Sequence, residues 1–332
     1  MKKRLRLLAC IVLLFGFNKS YTQVLINELQ ASNATTIADP ESGEFNDWIE
    51  LYNPGNSSVN LTGWYLSDSN NPSEWGFPAG TVVNAKGFLL VWADGSGTGL
   101  HTSFKLSAGG EQLALFDPSG TKASEVVYVE QPSDISYGLQ SDGNLPWGYF
   151  KKPTPGASNN TSVFYTDYVR QVPVFSQSGG FFSGAVTINI TDKYGQGTLR
   201  YTLDGAIPTE SSPVFTQPVL INMTTVVKAR MFYLDQLPGP VVTNTYFINE
   251  DFEERGLAVL SLSTDPKYFF DVDSGLYVQD FKPTWEYPIH LEFYEPDGLL
   301  GFHHDAGVQI GGENAWILPQ KLLNIYSRSQ YG

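Results

Sequence analysis

Short runs of alternating apolar and polar residues recur along the chain after residue 23, and turn residues fill the stretches between them. An alternation of period two places successive side chains on opposite faces of a β-strand. No long stretch after residue 23 repeats its apolar residues with the period of a helix. The pattern therefore predicts several modest all-β units. The clearest runs are residues 24–26, 48–52, 88–92 and 186–190.

Turn sequences separate these runs at the short intervals that are typical of β-sandwiches and barrels. In the second run, the alternation places Ile49 and Leu51 on one face and Glu50 on the other. We expect the face with Ile49 and Leu51 to belong to a hydrophobic core, and Trp64 to be a core aromatic as well. The turn sequences are Asn53-Pro54-Gly55, Asp94-Gly95, Asp204-Gly205 and Asp297-Gly298.

The first 23 residues have the order of a secretory signal peptide. Residues 2–4 are basic, residues 5–17 are mostly apolar, and residues 18–23 form a polar exit. The apolar run is too short to span a bilayer, so we expect cleavage, a secreted or cell-surface protein and no transmembrane segment afterwards. An uncleaved anchor is the alternative. The single cysteine, Cys10, lies in this segment, so the mature chain would have no disulfide and no thiolate site.

The chain of 332 residues carries 34 acidic and 20 basic side chains, a formal charge of −14. Five of the basic residues lie in the predicted signal peptide, which leaves 15 basic against 34 acidic residues for the rest. Such a surface repels phosphate groups, so we expect neither nucleic acid nor an anionic membrane as a partner. The length indicates several domains, and the 42% hydrophobic content excludes a disordered chain.

Two polar stretches divide the chain. One combines Pro, Gly and small polar residues at 153–160, and the other is a charged run at 249–256. Neither composition suits a strand, so both mark domain boundaries. The resulting units are a signal peptide at 1–23, a first domain at 24–160, a linker at 161–171, a second domain at 172–248 and a third segment at 257–332.

Ordered motifs mark the first domain: VLINEL at 24–29, DWIELYN at 47–53, LTGWYLSD at 61–68 and a closing WGYF at 147–150. With these motifs the domain resembles the bacterial lamin tail domain. The resemblance implies a compact immunoglobulin-like β-sandwich that serves attachment or interaction, for which no catalytic activity is established.

Four carboxylates recur beside these strands, namely Glu28, Asp47, Glu50 and Asp68. Carboxylate oxygens are ligands that Ca²⁺ prefers, so the four are candidate calcium ligands if the fold brings them together. No compact calcium-loop spacing links them, and turn capping or exposed pairing is the alternative that this spacing favours. Paired-carboxylate glycosidase chemistry lacks an identifiable pair.

The second domain contains RYTLDG at 200–205, then Pro208-Thr209, then VVKAR at 226–230. It is similar to the small β-sandwich found at the C-terminus of chitobiases and hexosaminidases. That domain accompanies glycan-active enzymes without being their catalytic part, so the resemblance implies a spacer that could contact glycans. Tyr201, Phe232 and Tyr233 are the aromatic candidates for such contacts, and packing within the domain is the alternative.

The third segment carries ordered motifs at 258–266, 273–278, 285–294, 307–312 and 318–328. With these motifs it resembles the opening of the CotH kinase family (spore-coat protein H), whose members are atypical, exported or surface protein kinases. The resemblance implies a partial α+β kinase-like lobe in which Lys321 contacts nucleotide phosphates. Gly311 and Gly312 would allow close backbone approach. Leu322 departs from the family motif, in which Ser commonly follows the lysine.

Kinase chemistry also needs groups that hold Mg²⁺ and a residue that places the acceptor hydroxyl. The family's carboxylates for these roles would lie beyond Gly332, so we expect an incomplete lobe and assign no catalytic residue. ATP and Mg²⁺ are expected only for a complete kinase domain. His303 and His304 are adjacent on a strand and cannot easily share a metal ion, and His101 and His290 are isolated in the sequence.

Together, these features predict a mainly β protein with two immunoglobulin-like sandwiches in tandem, followed by the partial kinase-like lobe. The expected function is attachment or presentation of a CotH-like kinase domain at the cell surface or outside the cell, with this chain alone inactive. Its partner would be a surface protein or a glycan. The alternative is an adhesive or glycan-binding surface protein with a degenerate kinase-like segment.

Overall fold

The computed structural model describes residues 24–331, except residues 70, 196, 251–255, 279–284, 313–316 and 329–330. The predicted signal peptide therefore lies outside the described residues. In the described part the chain is 43% strand and 3% helix, which confirms the prediction of a mainly β protein. Helices with the length and apolar character needed for a membrane crossing are absent from this part of the chain.

The first domain pairs a six-stranded sheet with a four-stranded sheet. Its strands are β1 (Leu25–Gln30), β2 (Trp48–Tyr52), β3 (Val59–Asn60), β4 (Tyr65–Ser67), β5 (Trp75–Gly76), β6 (Val82–Val83), β7 (Phe88–Trp92), β8 (Gly110–Phe116), β9 (Lys122–Val129), β10 (Ser136–Ser141), β11 (Asn144–Phe150) and β12 (Phe164–Tyr165). The large sheet has the order β12-β11-β10-β1-β2-β7 and the smaller one β5-β4-β8-β9, with β3 and β6 as a separate ribbon.

The alternation along β2 builds the core between these sheets as predicted. Ile49 and Leu51 are fully buried in one cluster with Ile26 of β1, and Leu113 of β8 reaches the same cluster. Trp64 packs there as well, which confirms its predicted role. Burying a large aliphatic side chain stabilises the fold by about 1.5–3 kcal/mol, so burial of these residues strongly favours the orientation in which this face of β2 points to the core.

The opposite face of the large sheet is also covered, although polar side chains such as Glu50 lie on it beside Trp48. All six residues of β1 are buried, Glu28 among them. The cover is the chain after β11, which includes the 3₁₀ helix Asn159–Thr161 with Ser158 as its N-cap. The sheet is therefore buried on both faces near β1, by an apolar layer on one side and a polar segment on the other.

The segment predicted as a linker, residues 161–171, contains two short strands. β12 adds to the edge of the large sheet, where Tyr165 pairs with Tyr149 of β11. β13 (Asp167–Tyr168) instead runs parallel to a strand of the second domain. Thr166 alone separates the two strands. The connection is therefore hydrogen-bonded to the first domain through β12 and to the second domain through β13.

The second domain is a smaller β-sandwich. Besides β13 its strands are β14 (Val174–Phe175), β15 (Gly180–Phe182), β16 (Val186–Ile188), β17 (Ile190–Thr191), β18 (Thr198–Thr202), β19 (Val219–Ile221), β20 (Thr225–Phe232), β21 (Gln236–Leu237) and β22 (Val241–Ile248). Its main sheet has the order β15-β22-β20-β18. Val227, Ala229 and Met231 point from β20 into the core, so Lys228 and Arg230 lie on the opposite face of the sheet.

The described part of the third segment forms one antiparallel sheet in the order β23-β24-β25-β26, with one short helix. Its elements are β23 (Val259–Ser263), α1 (Pro266–Phe270), β24 (Tyr287–Tyr294), β25 (Leu300–Ile310) and β26 (Leu323–Tyr326). Asp265 caps α1 by accepting a hydrogen bond from the backbone N of Lys267, and Leu276 and Ile289 lie in the core of the unit. The α+β lobe predicted for this segment finds no support in these residues.

Candidate functional site

Two of the four candidate calcium ligands meet on neighbouring strands. Glu28 on β1 and Glu50 on β2 are directly opposite each other in the antiparallel register, and neither residue is exposed to solvent. The fold therefore brings this pair together, but in the interior of the first domain. Calcium binding by these residues stays a prediction.

Glu28 is held by hydrogen bonds from two other elements. Ser136 Oγ at the start of β10 donates to Glu28 Oε1. Thr154, in the covering chain, donates from its backbone N to Oε1 at 3.1 Å and from its Oγ1 to Oε2 at 2.6 Å. The carboxyl group of Glu28 thus ties the covering chain to the sheet.

Glu50 is held in the same way. Asn27 Nδ2 donates to Glu50 Oε1 at 3.0 Å, and the backbone N of Gly156 donates to Glu50 Oε2 at 2.7 Å. The network continues through Asn159, whose backbone N donates to Asp142 Oδ1 at 2.9 Å. Both oxygens of each buried glutamate therefore have protein donors, and the arrangement fastens the end of the domain to its sheet.

Burial changes the protonation of the pair. It raises the pKa of Glu50 to about 8, and the neighbouring charge of Glu28 adds to that rise. Burial also raises the pKa of Glu28, against the hydrogen bonds from Ser136 and Thr154. Glu50 therefore keeps its proton at neutral pH, so that two adjacent buried negative charges are avoided.

The other two calcium candidates, Asp47 and Asp68, lie away from this pair and are both electrostatic neighbours of Glu111. Asp47 Oδ1 accepts a hydrogen bond from the backbone N of Asn33 at 3.1 Å. Burial raises the pKa of each aspartate to about 6, and for Asp68 the charge of Glu74 adds to the rise. Among the described residues, therefore, the four predicted ligands do not converge on one metal site.

Asp39, Asp94 and His101 form a group that has the atoms to hold a metal ion. One ligand atom from each residue lies within 4.8 Å of the others. His101 Nδ1 is 2.9 Å from Asp94 Oδ2 and 3.9 Å from Asp39 Oδ2, and the side chains of His101 and Asp39 are 6% and 0% exposed. Mixed imidazole and carboxylate ligands suit divalent transition metals such as Zn²⁺ or Mn²⁺.

Within this group, the carboxylate of Asp39 already accepts hydrogen bonds from protein donors. Asp39 accepts hydrogen bonds from the backbone N of Glu41, from Ser42 Oγ at 2.8 Å and from Asn46 Nδ2 at 3.1 Å. Burial raises the pKa of Asp39, but these hydrogen bonds outweigh it and hold the pKa below its usual value. His101 looked isolated in the sequence, since Asp39 is 62 positions away; the Asp94-Gly95 turn shortly before it was the available signal.

The third segment packs directly against the second domain through a buried acid. Glu292 on β24 is 3% exposed and accepts hydrogen bonds from Thr245 of β22, from the backbone N at 3.2 Å and from the side-chain hydroxyl. Tyr294 Oη donates to the same carboxylate at 3.0 Å. The Tyr294 ring lies edge-on to Phe181 and Phe247, with centroid distances of 5.4 and 5.6 Å.

A buried lysine adds charge complementarity to this junction. Lys228 on β20 is 5% exposed. Burial lowers the pKa of its amino group, while the charges of Asp305, Asp265, Asp204 and Glu292 oppose that change. Three of these four acids belong to the third segment. The cation of the second domain is therefore compensated largely by the segment that packs on it.

Lys321 lies just before β26, and its Nζ is 5.5 Å from the ring centroid of Tyr277. The backbone N of Gly311 donates to the carbonyl of Leu322 at 2.8 Å, so the predicted glycine and lysine positions are neighbours in space. A Cβ at Gly311 would lie 2.5 Å from Asn324 Oδ1, which explains a glycine there. The phosphate-binding role of Lys321 stays a prediction.

The aromatic residues proposed for glycan contact are used for packing in the second domain. Tyr201 and Tyr233 pack against its core, and Phe232 is 8% exposed. The Tyr201 ring lies edge-on to Phe215 at 5.6 Å, and Tyr233 Oη donates to Asp192 at 3.3 Å. These contacts agree with the packing alternative.

The histidines of the third segment are separated as predicted. His303 and His304 are successive residues of β25 and point to opposite faces of the sheet. His304 Nε2 lies 2.8 Å from Ser327 Oγ. His290, which looked isolated in the sequence, is the cross-strand partner of Asp305, with 2.6 Å between Nδ1 and Oδ1.

Comparison with protein families identifies the first two domains. Residues 18–130 match the Lamin Tail Domain, and residues 177–243 match the Chitobiase/beta-hexosaminidase C-terminal domain. Both resemblances are thereby confirmed, and the chain is a modular β-sandwich protein. Neither match extends beyond residue 243, so the resemblance of the third segment to CotH kinases rests on its motifs alone. No curated protein matches the chain.

Proposed function

We propose that this chain belongs to an exported modular surface protein whose two β-sandwiches attach and present a CotH-type kinase unit that begins at residue 257. Supporting this are the signal-like first 23 residues, the lamin tail match and the ordered motifs of the third segment. Presentation requires that the last unit is held in one orientation relative to the attachment domain.

The main support for this proposal is the contact between Thr245 of the second domain and Glu292 of the third segment. A covalent connection between two independent units does not need a buried acid between them, because a solvated tether would serve. A buried carboxylate that is hydrogen-bonded across the boundary costs free energy unless its partners stay in place. The second domain therefore presents the third segment in a defined orientation.

In the kinase unit, Lys321 would contact the phosphates of ATP, and Mg²⁺ would be held by carboxylates outside the described residues. The cation of a lysine stabilises the negative charge of the transferred phosphoryl group. The hydrogen bond from the backbone N of Gly311 to the carbonyl of Leu322, the residue after Lys321, supports this role.

Export is tested by proteolysis of intact cells that express the natural gene. We expect proteinase K, added outside, to degrade the protein while a cytoplasmic marker stays intact. Protection of the protein until the cells are lysed would contradict export. Envelope fractionation of the same cells shows whether the protein is attached or released.

Nucleotide binding is tested on the full-length gene product with the fluorescent analogue TNP-ATP and Mg²⁺. Lys321→Ala should weaken binding at least tenfold. Lys193→Ala is the matched control, because Lys193 Nζ also lies over a tyrosine ring, 5.4 Å from the centroid of Tyr194. Equal effects of the two variants, or no binding by the parent protein, would favour the alternative of an adhesive protein with a degenerate kinase-like segment.

That alternative is favoured by the chitobiase/hexosaminidase match, because such domains accompany glycan-active enzymes. It predicts retention on immobilised chitin or cell-wall polysaccharide without any effect of nucleotide.

A further inference from the structure

A cavity of 390 Å³ lies where the first and second domains meet. Its walls come from residues 130–135 after β9, from Lys151 after β11, from β13, and from the turn between β21 and β22. A volume of this size is within the range of small-molecule sites, which often lie between domains. None of the functions discussed above uses this cavity.

Much of the cavity lining is apolar. Aliphatic side chains and proline rings from both domains form it, and they leave few polar groups to interact with a ligand. These residues are Pro132, Ile135, Val169, Leu237, Pro238 and Pro240.

The lining also includes the guanidinium group of Arg230, which has no acid partner among the described residues. Arg230 Nε donates to the carbonyl of Gly239 at 2.5 Å and Nη2 donates to the carbonyl of Pro238 at 3.3 Å, so its partners are neutral. Desolvation lowers the pKa of Arg230, and no carboxylate of the described residues opposes that change. An arginine stays charged under these conditions, so the cavity wall carries a half-buried cation whose hydrogen-bond partners are neutral.

The contrast with Lys228 is informative, because the two cations are two positions apart on the same face of β20. Lys228 is surrounded by four acids at the junction with the third segment. Arg230 lines the cavity, and none of the acids in the described part of the chain acts on it in this way. Since desolvating a cation is costly, we expect an anion to occupy the place that a carboxylate occupies elsewhere.

A second cation and a buried hydroxyl point to the same place. Lys151, an exposed residue, lines the cavity and takes part in none of the ion pairs formed within the described part of the chain. The acid in the wall, Glu130, accepts a hydrogen bond from Tyr168 Oη at 2.9 Å. Ser133 Oγ is buried and has no hydrogen-bond partner among the described residues, so a donor is available there.

We propose that this cavity binds a small organic anion, with its carboxylate at Arg230, Lys151 and Ser133 and its apolar body against the proline-rich wall. The chain carries a formal charge of −14, so long-range electrostatics repel such a ligand and the attraction must be local. Because both domains supply the wall, a bound ligand would also stabilise their contact.

The test uses octanoate as the probe and the whole protein, with ligand-observed NMR to measure binding. Octanol and octylamine have the same chain length but no negative charge, and acetate has the charge without the chain. Octanoate should bind one site with a dissociation constant of the order of 1 mM, as expected for about ten non-hydrogen atoms. The three other compounds should bind at least fivefold more weakly.

Three substitutions locate the site. Arg230→Met and Lys151→Ala should each weaken octanoate binding at least fivefold. Lys152→Ala is the matched control, because it removes the adjacent lysine, which is not part of the cavity wall. Ser133→Ala should weaken octanoate binding without lowering the unfolding temperature of the free protein, since its hydroxyl lacks a partner there.

Arg230→Met removes two hydrogen bonds to the backbone, so the fold of this variant is checked by thermal unfolding. If Arg230→Met is unstable, Lys151→Ala still tests the proposal. Octanoate binding that persists in Lys151→Ala would overturn the proposal. So would equal binding of octanol or octylamine, or the absence of octanoate binding at 10-fold excess over the expected dissociation constant.

Discussion

Glu28 and Glu50 face each other across β1 and β2 with both carboxyl groups buried and hydrogen-bonded to the chain that covers the sheet. The pKa of Glu50 is raised to about 8, whereas an exposed glutamate has a pKa near 4.5. The stability of the first domain is therefore linked to pH through this pair.

The first prediction concerns the direction of that linkage. Between about pH 4.5 and pH 8 the folded state keeps the Glu50 proton and the unfolded state does not. The folded state then binds more protons, so the free energy of unfolding should fall as the pH rises through this window, by a few kcal/mol. Below pH 4.5 this contribution is fully present. Urea unfolding at a series of pH values measures it by tryptophan fluorescence, since five of the seven tryptophans lie in the first domain.

Glu50→Gln isolates the contribution of this residue. It removes the titration, so its stability profile should be flatter than that of the parent protein between pH 6 and pH 8. Below pH 6 a slope should remain, because Asp47 has a pKa of about 6 and Glu28 is also raised. Parallel profiles for the two proteins above pH 6 would show that Glu50 does not titrate there.

The second prediction concerns the junction between the second domain and the third segment. Glu292→Ala leaves the backbone N of Thr245 and the hydroxyl of Tyr294 without their buried acceptor. Loss of such an acceptor should destabilise the junction by about 2–4 kcal/mol. Hydrogen exchange measures this directly, because the Thr245 amide should exchange faster. Glu295→Ala is the control, since Glu295 is exposed near the end of the same strand; an equal effect there would argue against a specific junction.

The third prediction concerns a close approach of two strands in the first domain. A Cβ at Gly148 would lie 2.4 Å from Phe164 Cζ and 2.4 Å from the carbonyl oxygen of Tyr165. The backbone oxygen cannot move without breaking the β11–β12 pairing, so Gly148→Ala should cost about 2–3 kcal/mol in urea unfolding. Gly184→Ala is the control, because a Cβ there would have no other atom within 4 Å, and it should change stability by less than about 0.5 kcal/mol. Wild-type stability in Gly148→Ala would mean that β12 is not held against β11.

The fourth prediction concerns His101, which lies between Asp39 and Asp94. His101→Ala removes a buried ring and leaves Asp94 Oδ2 without its imidazole partner, so it should destabilise the first domain by about 2–3 kcal/mol, measured by thermal unfolding. Glu41→Ala removes an acid that is 3.5 Å from His101 Nε2 but 73% exposed, so it should have little effect. A larger loss from Glu41→Ala than from His101→Ala is the contrary result.

Local sequence patterns predicted much of this architecture correctly. The alternation at Ile49 and Leu51 identified the core face of β2, and the motifs identified both sandwich domains. Both are local properties, because a strand or a family motif occupies consecutive residues. The two strands within the predicted linker were not predicted, because β12 and β13 have only two residues each and their partners are other strands of the two domains.

The candidate site was predicted less well, for a physical reason that Glu50 illustrates. Alternation correctly placed Glu50 away from the hydrophobic core, and an exposed position was the simplest expectation for it. The structure buries it because Gly156, more than a hundred positions later, is part of the chain that covers this face. The partners of His101 and of Arg230 likewise depend on which distant segments fold beside them.

The residue pattern alone was enough to determine the strand-rich architecture, the faces of the individual strands and the identity of the first two domains, because each depends on neighbours within a few positions. Only the three-dimensional packing decided that Glu28 and Glu50 share a buried network, that Glu292 bonds across a domain boundary, and that Arg230 lines a cavity where its hydrogen-bond partners are backbone carbonyls. Burial and charge compensation are set by contacts between distant segments, and a linear pattern does not contain them.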